Sequence, residues 1–104
     1  MQLSQPKFEA VRIPLRGAAG GLAEQLCGLA AAFKDRHVLL DCRNIGSLDS
    51  SDLGTLVGVD RKLRASGGRL TLCNVRPRLY EVFDRTRLTT WMDVRPGDPE
   101  TASS

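Results

Sequence analysis

The run His37-Val38-Leu39-Leu40-Asp41-Cys42 is apolar and of strand length, and the chain changes period directly after it. From Leu53, apolar residues recur at helical spacing through Leu56, Val57 and Leu63. Between the two lies Asn44-Ile45-Gly46-Ser47-Leu48-Asp49-Ser50-Ser51-Asp52-Leu53-Gly54, two serines flanked by two aspartates. Ser, Asp and Asn are favoured where a helix begins, because their oxygens accept from N–H groups that have no partner inside the helix. Gly67-Gly68 then supplies the left-handed conformation that ends a helix near Ser66, and Arg69-Leu70-Thr71-Leu72-Cys73-Asn74-Val75 follows as a further strand. Strand, helix and strand in this order make a crossover joining parallel strands. The unbroken apolar character of residues 38–42 places that strand inside a sheet with both faces covered.

The rest of the chain extends the same alternation. Val11-Arg12-Ile13-Pro14-Leu15 has period two, and Pro14, which cannot donate to a ladder, puts this strand at an edge or turns its nitrogen to solvent. An earlier strand within residues 2–8 is expected to pair with it through a turn at Phe8-Glu9-Ala10. Gly17-Ala18-Ala19-Gly20-Gly21 breaks the chain, and Leu22, Leu26, Leu29, Ala30 and Phe33 form one helical stripe. Arg76-Pro77 opens another helix, with Leu79, Tyr80, Val82 and Phe83 on its core side and Leu88 closing it. Trp91-Met92-Asp93-Val94 is expected to be a last short strand. The expected fold is α/β in the order β-β-α-β-α-β-α-β, a mixed sheet of about four to five strands with helices mainly on one face. Residues 1–95 make one domain, and 96–104 are expected to be a flexible tail.

At 104 residues, with 41% hydrophobic and 26% charged residues, the chain has the composition of one soluble globular domain. It has no apolar run of the roughly 20 residues that a membrane span needs, and Met1 to Lys7 lack the apolar core of a signal peptide. Cys27, Cys42 and Cys73 are odd in number and each sits among apolar residues, so they are expected to be buried thiols of a cytoplasmic protein. His37, the one histidine, has no neighbouring pattern of metal-ligand spacing and no partner for general-base work, so no metal, cofactor or catalytic residue is assigned. Phosphate-binding glycine motifs are missing as well, and the chain is not expected to be an enzyme. The net charge of +3 raises nucleic acid as a partner. The densest basic group, Arg76 to Arg87, is interrupted by Glu81 and Asp84, and its aromatic residues Tyr80 and Phe83 fall on the buried face. A solvated helix face explains it better than a nucleic-acid stripe, and no direct DNA binding is expected.

Three features at matching intervals carry a resemblance: Asp49-Ser50-Ser51-x-Leu53-Gly54, Gly67-Gly68-Arg69-Leu70, and Val82-Phe83 followed by Leu88. Over residues 10 to 94 the chain resembles the STAS domain and is most similar to the single-domain bacterial anti-sigma factor antagonists. The resemblance implies partner switching. The unphosphorylated antagonist binds an anti-sigma factor that is also a serine kinase with a histidine-kinase-like ATPase domain, and this frees the sigma factor. The kinase phosphorylates the serine after the motif aspartate, here Ser50 with Ser51 as second choice; the complex then parts, and a PP2C-type serine phosphatase resets the switch. Partner contacts are expected from Gly46, Ser47, Asp49, Ser51, Asp52 and Gly54, and from Asp60, Arg61 and Arg64 on the exposed side of the helix over 51–66.

This sequence departs from the family pattern twice. The family's Gly-Glu-Leu-Asp after its second strand is Gly17-Ala18-Ala19-Gly20 here, and its usual Gly is Asp52. Asp52 either caps the helix or sets a fixed negative charge beside Ser50 that imitates the phosphate. These departures keep open a second reading, a scaffold subunit of an ABC-type transporter complex without the switch; the basic charge leaves a third, a small basic nucleic-acid-binding domain.

Overall fold

The computed structural model describes residues 10–17 and 21–97, and the strand expected within residues 2–8 lies outside them. In chain order the elements are β1 (Ala10–Gly17), α1 (Leu22–Leu26), α2 (Leu29–Ala32), β2 (His37–Ile45), α3 (Ser50–Ala65), β3 (Arg69–Cys73), α4 (Pro77–Arg85), a 3₁₀ turn over Leu88–Thr90 and β4 (Asp93–Val94). The four strands pair in the order β1-β2-β3-β4, every pair parallel. Pro14 is exposed on β1, which is an edge strand of this set. Among the described residues, no helix is long and apolar enough to cross a membrane.

Alternation along the strands sorts the side chains into two faces. Ile13 and Leu15 of β1, Val38, Leu40 and Cys42 of β2, and Leu70 and Leu72 of β3 point to one side. There they meet Leu22, Leu26 and Leu29 of α1 and α2, Leu56 and Leu63 of α3, and Leu79 and Phe83 of α4 in a single apolar cluster. The helices therefore share one face. Leu39, Asp41, Thr71 and Cys73 point the other way and are also buried, so residues 38–42 are covered on both faces.

On that second face polar side chains tie the strands together. The Thr71 hydroxyl donates to Asp93 Oδ2 at 2.9 Å and lies 2.8 Å from His37 Nε2. A hydroxyl has one hydrogen, so the hydrogen between His37 and Thr71 belongs to the imidazole. His37, Thr71 and Asp93 thus link β2, β3 and β4, and the histidine has a structural role.

The single helical stripe from Leu22 to Phe33 is broken. Gly28 takes φ +76° and separates α1 from α2, while Leu22, Leu26 and Leu29 stay buried. Cys27, at the break, is exposed, in contrast to the expected buried thiol; Cys42 and Cys73 are buried. Burial is the main cause that pushes the Cys42 thiol up to about 12, with the neighbouring Cys73 and Asp41 adding to it, so it stays protonated and unreactive. The expected last strand is reduced to Asp93–Val94, because Met92 N–H turns back to the Leu88 carbonyl at 2.8 Å. Beyond β4, Arg95 and Gly97 carbonyls accept from Val75 and Asn74 N–H, so the expected tail begins with residues held against the chain after β3; residues 98–104 lie outside the described ones.

The end of α3 is a Schellman motif. Gly68 N–H bonds the Leu63 carbonyl at 2.7 Å, Gly67 N–H bonds that of Arg64 at 3.1 Å, and Gly67 takes φ +88°. Gly68 passes so close to the chain before β2 that a Cβ there would stand 2.7 Å from the Arg36 carbonyl oxygen. Backbone cannot yield as a side-chain tip can, so Gly68→Ala is expected to destabilise the fold by about 1–3 kcal/mol. Gly58, inside α3 with open space around its Cβ position, sets the contrast: Gly58→Ala is expected to stabilise by about 0.5–1 kcal/mol. Urea unfolding midpoints of the two variants check both signs.

Candidate functional site

The chain between β2 and α3 leaves the carboxyl end of the sheet, the end at which open α/β folds place their binding sites. Leu48 packs on the core at the residue before the N-cap and Leu53 at the fourth helical position, the two places of a hydrophobic staple. Asp49 is the N-cap: its Oδ1 accepts from Asp52 N–H at 2.9 Å, and Asp52 Oδ2 accepts in return from Asp49 N–H at 3.0 Å. This reciprocal pair is a capping box with Asp in the place usually taken by Glu or Gln.

Ser50 and Ser51 therefore occupy the first and second positions of α3, both exposed. Asp49 takes up the third N–H, but the Ser50 and Ser51 N–H groups have no acceptor among the described residues. Two outward-pointing donors thus stand at the positive end of a 16-residue helix, beside two hydroxyls. Gly46, Ser47, Asp49 and Gly54 are exposed around them.

Asp52 does not belong to that exposed set. It is 2% exposed, and its Oδ1 accepts from Leu22 N–H at 3.4 Å, the first residue of α1. One carboxylate thus serves the starts of two helices, which is the cap of the two roles considered for it. Asp60 also departs from expectation. It is buried and gives its carboxylate to Arg64, with Nε 3.2 Å from Oδ2, while Arg61 and Arg64 are exposed. Helical spacing alone misplaces Asp60, whose carboxylate is buried and paired with a guanidinium one turn on.

His37 and Ser50 stand at opposite ends of β2, whose length at an ordinary strand rise is about 26 Å. The one histidine is therefore no base for the serine.

Asp41, buried at the middle of β2 where the pairing with β3 ends, gathers donors from three segments. Its carboxylate accepts from Arg12 Nη1 at 3.3 Å, Arg43 N–H at 3.1 Å and Asn74 Nδ2 at 3.2 Å. Burial alone would raise the Asp41 carboxyl, but the hydrogen bonds from Arg43 and Asn74 and the Arg43 charge outweigh it and hold it below the usual range. Asp93 is likewise lowered: burial raises it, and Arg95, Thr71 and Arg69 overcome that. Arg76 Nε donates to the Arg43 carbonyl at 3.1 Å, which fastens the start of α4 to this end of the sheet.

One feature near α3 has no clear signal in the sequence. Trp91 was expected on a strand, yet its side chain stands 71% exposed beside α3. Its carbonyl accepts from Arg64 Nη2 at 2.7 Å. A two-residue β4, which leaves the preceding turn free to face outward, could be recognised only from the fold.

Comparison with known proteins gives a consistent result. A family model described as STAS domain matches residues 16–100. An anti-sigma-B factor antagonist of Bacillus subtilis is 34% identical over 70% of this chain and 65% of its own length. The candidate anti-sigma factor antagonist BtrV of Bordetella bronchiseptica is 34% identical over 81% of this chain and 77% of that protein. An anti-sigma F factor antagonist of Paenibacillus polymyxa matches at 29% identity across only half of its length. Among solved structures, the anti-sigma factor antagonist SpoIIAA in its unphosphorylated form superposes with TM-score 0.69 at 28% identity, covering 97% of this chain and 90% of that one. A sulfate transporter family protein from Wolinella succinogenes shares the fold at TM-score 0.76 and 19% identity, covering 85% of this chain and 77% of its own.

Asp52→Ala leaves the N–H groups of Asp49 and Leu22 without this acceptor. It is expected to cost about 1–3 kcal/mol in urea unfolding, with faster amide exchange at Leu22. For acid, the sign follows from the lowered carboxyls: on acidification the unfolded chain takes up protons before the folded one. Stability from Asp41 and Asp93 is thus complete above about pH 4 and is lost as pH falls through their folded values. Asp41→Asn is expected to be less stable at neutral pH and to have a shallower acid limb, read from urea midpoints measured between about pH 2 and pH 6.

Proposed function

The chain belongs to the STAS domain family, and on that premise we propose that it is a partner-switching signalling protein with Ser50 as the switch. Unphosphorylated, it binds an anti-sigma factor with a histidine-kinase-like serine kinase domain and frees the sigma factor or other target. Phosphorylation of Ser50 breaks the complex, and a PP2C-type phosphatase restores it. In this reading the chain is a substrate and not an enzyme. The observation that carries it is the position of Ser50: exposed, first in the helix, beside two N–H groups without an acceptor among the described residues. The antagonist names of its relatives, and the solved phosphorylated form of SpoIIAA, at TM-score 0.63 and 27% identity, support the same reading.

The chemistry favours a change of surface over a change of fold. A hydroxyl at the first helical position reaches a kinase active site without any unfolding. A phosphate there adds about −1.5 to −2 of charge and is accommodated by the free N–H groups and the helix dipole. Asp49 stands beside it, exposed, so the loop turns from mildly to strongly anionic while the helix start is retained. Asp52 contributes little to that field outside, because it is buried against the N–H groups of Asp49 and Leu22.

The test is intact mass after incubation with ATP and a candidate partner serine kinase. Wild type is expected to gain one phosphate and Ser50→Ala none. A gain in both would move the switch to another hydroxyl, Ser51 first. No gain in either, despite a measurable complex, would replace the switch with a constitutive binder of the transporter-scaffold kind.

A further inference from the structure

A groove of about 410 Å³ runs between the second half of α3 and the turn before β4. Half-buried Val57 and Leu88 and buried Met92 give it an apolar lining, and the Trp91 indole stands at its side. Trp91 is the one large apolar side chain left exposed among the described residues. It is held in place: its N–H bonds the Leu88 carbonyl at 3.0 Å, and its own carbonyl takes the Arg64 guanidinium, itself paired with buried Asp60. These bonds fix the backbone of the turn that carries the indole, which lowers the cost of ordering this segment on binding. Trp and Arg are also the residues that most often dominate interface energies.

Charge narrows the choice of occupant. The Asp60 carboxylate is taken by Arg64, so Arg61 lines the groove with no ion pair among the described residues. An apolar segment with a carboxylate fits this lining, and a basic segment does not. Position narrows it further. Ser50, Gly54, Val57, Arg61 and Arg64 fall at i, i+4, i+7, i+11 and i+14, one stripe of α3. The groove thus faces the same way as Ser50, about 16 Å further along the helix. Gly54 between them leaves open space above the backbone.

We propose that this groove is a second docking point for the serine kinase, which seats there an apolar segment carrying an acidic residue. The proposal rests on the partner-switching reading and adds a division of labour to it. At about 16 Å, the Ser50 phosphate lies beyond the screening length of about 8 Å at physiological ionic strength. The groove therefore holds the kinase segment alike in the phosphorylated and unphosphorylated forms of this protein, and discrimination between them stays at the helix start.

The chain has a single tryptophan, so 5-fluorotryptophan gives one ¹⁹F resonance, at the groove itself. On titration with the purified kinase and a non-hydrolysable ATP analogue, that resonance is expected to shift. Trp91→Ala and Arg61→Glu are each expected to weaken the complex about 10- to 100-fold, by the same factor for both phosphorylation states. A complex that forms and phosphorylates Ser50 while the resonance stays fixed and both variants bind normally would overturn the groove and leave the switch standing. A shift that tracks the protein's own concentration without kinase would assign the groove to a second copy and overturn the proposal. Absence of any complex would remove the switch reading and this one with it. The resonance itself needs no variant, so a folding defect in either substitution cannot hide the answer.

Discussion

The carboxylate of Asp52 is the hinge of the arrangement. It closes the capping box with Asp49 and also bonds the first N–H of α1, so α3 cannot shift at its start without α1 following. A buried charge costs free energy unless it is compensated, and here the compensation comes from N–H groups at helix starts, where the dipoles are positive. Once that junction is set, Ser50 has one place to be: the first turn of α3, outside the box, facing solvent. The loop after β1 lacks the aspartate that the family resemblance implies there.

The rest of the molecule makes that junction rigid. One apolar cluster binds all four helices to one face of the sheet. On the other face, buried Asp41 and half-buried Asp93 draw in arginines, Asp41 from Arg12 and Arg43, and Asp93 from Arg69 and Arg95. Exposed ion pairs add little, but these carboxylates are largely removed from water and carry several donors each, so their loss is costly. Asp41 also holds Asn74 after β3, and Arg76 at the start of α4 bonds the Arg43 carbonyl, which together steady the carboxyl edge where the loop into α3 emerges.

Local physics was legible in the sequence, and tertiary accidents were not. The buried strand 38–42, the cap at Asp49, the stop at Gly67-Gly68 and the helix opened by Pro77 each follow from the residues that form them. The parallel order follows from their alternation. The break at Gly28 was hidden because the apolar stripe runs on across it; a glycine makes the left-handed residue cheap, and only packing decides that it is used. Asp52 and Asp60 look like surface residues in a polar helix. Both are buried, Asp52 bonded to the start of α1 and Asp60 paired with a guanidinium one turn away. Trp91 reads as core by its chemistry and stands outside because β4 is only two residues long.

A switch of this kind works best when the element that carries it does not move. If phosphorylation melted the helix start, the protein would lose the capping energy along with its partner, and resetting would require refolding. On the proposed reading, with Ser50 outside the capping box, a phosphate there would meet N–H groups already aligned to receive it, and the cost would fall on the partner's side of the interface. Discrimination by the proposed kinase would then depend on how closely it approaches that first turn. The open space above Gly54 favours such an approach, because a larger residue there would hold a facing surface away from Ser50. On the proposed reading, the small residue on the helix and the buried acid beneath it serve the same end, a serine that stays fixed while a phosphate changes its charge.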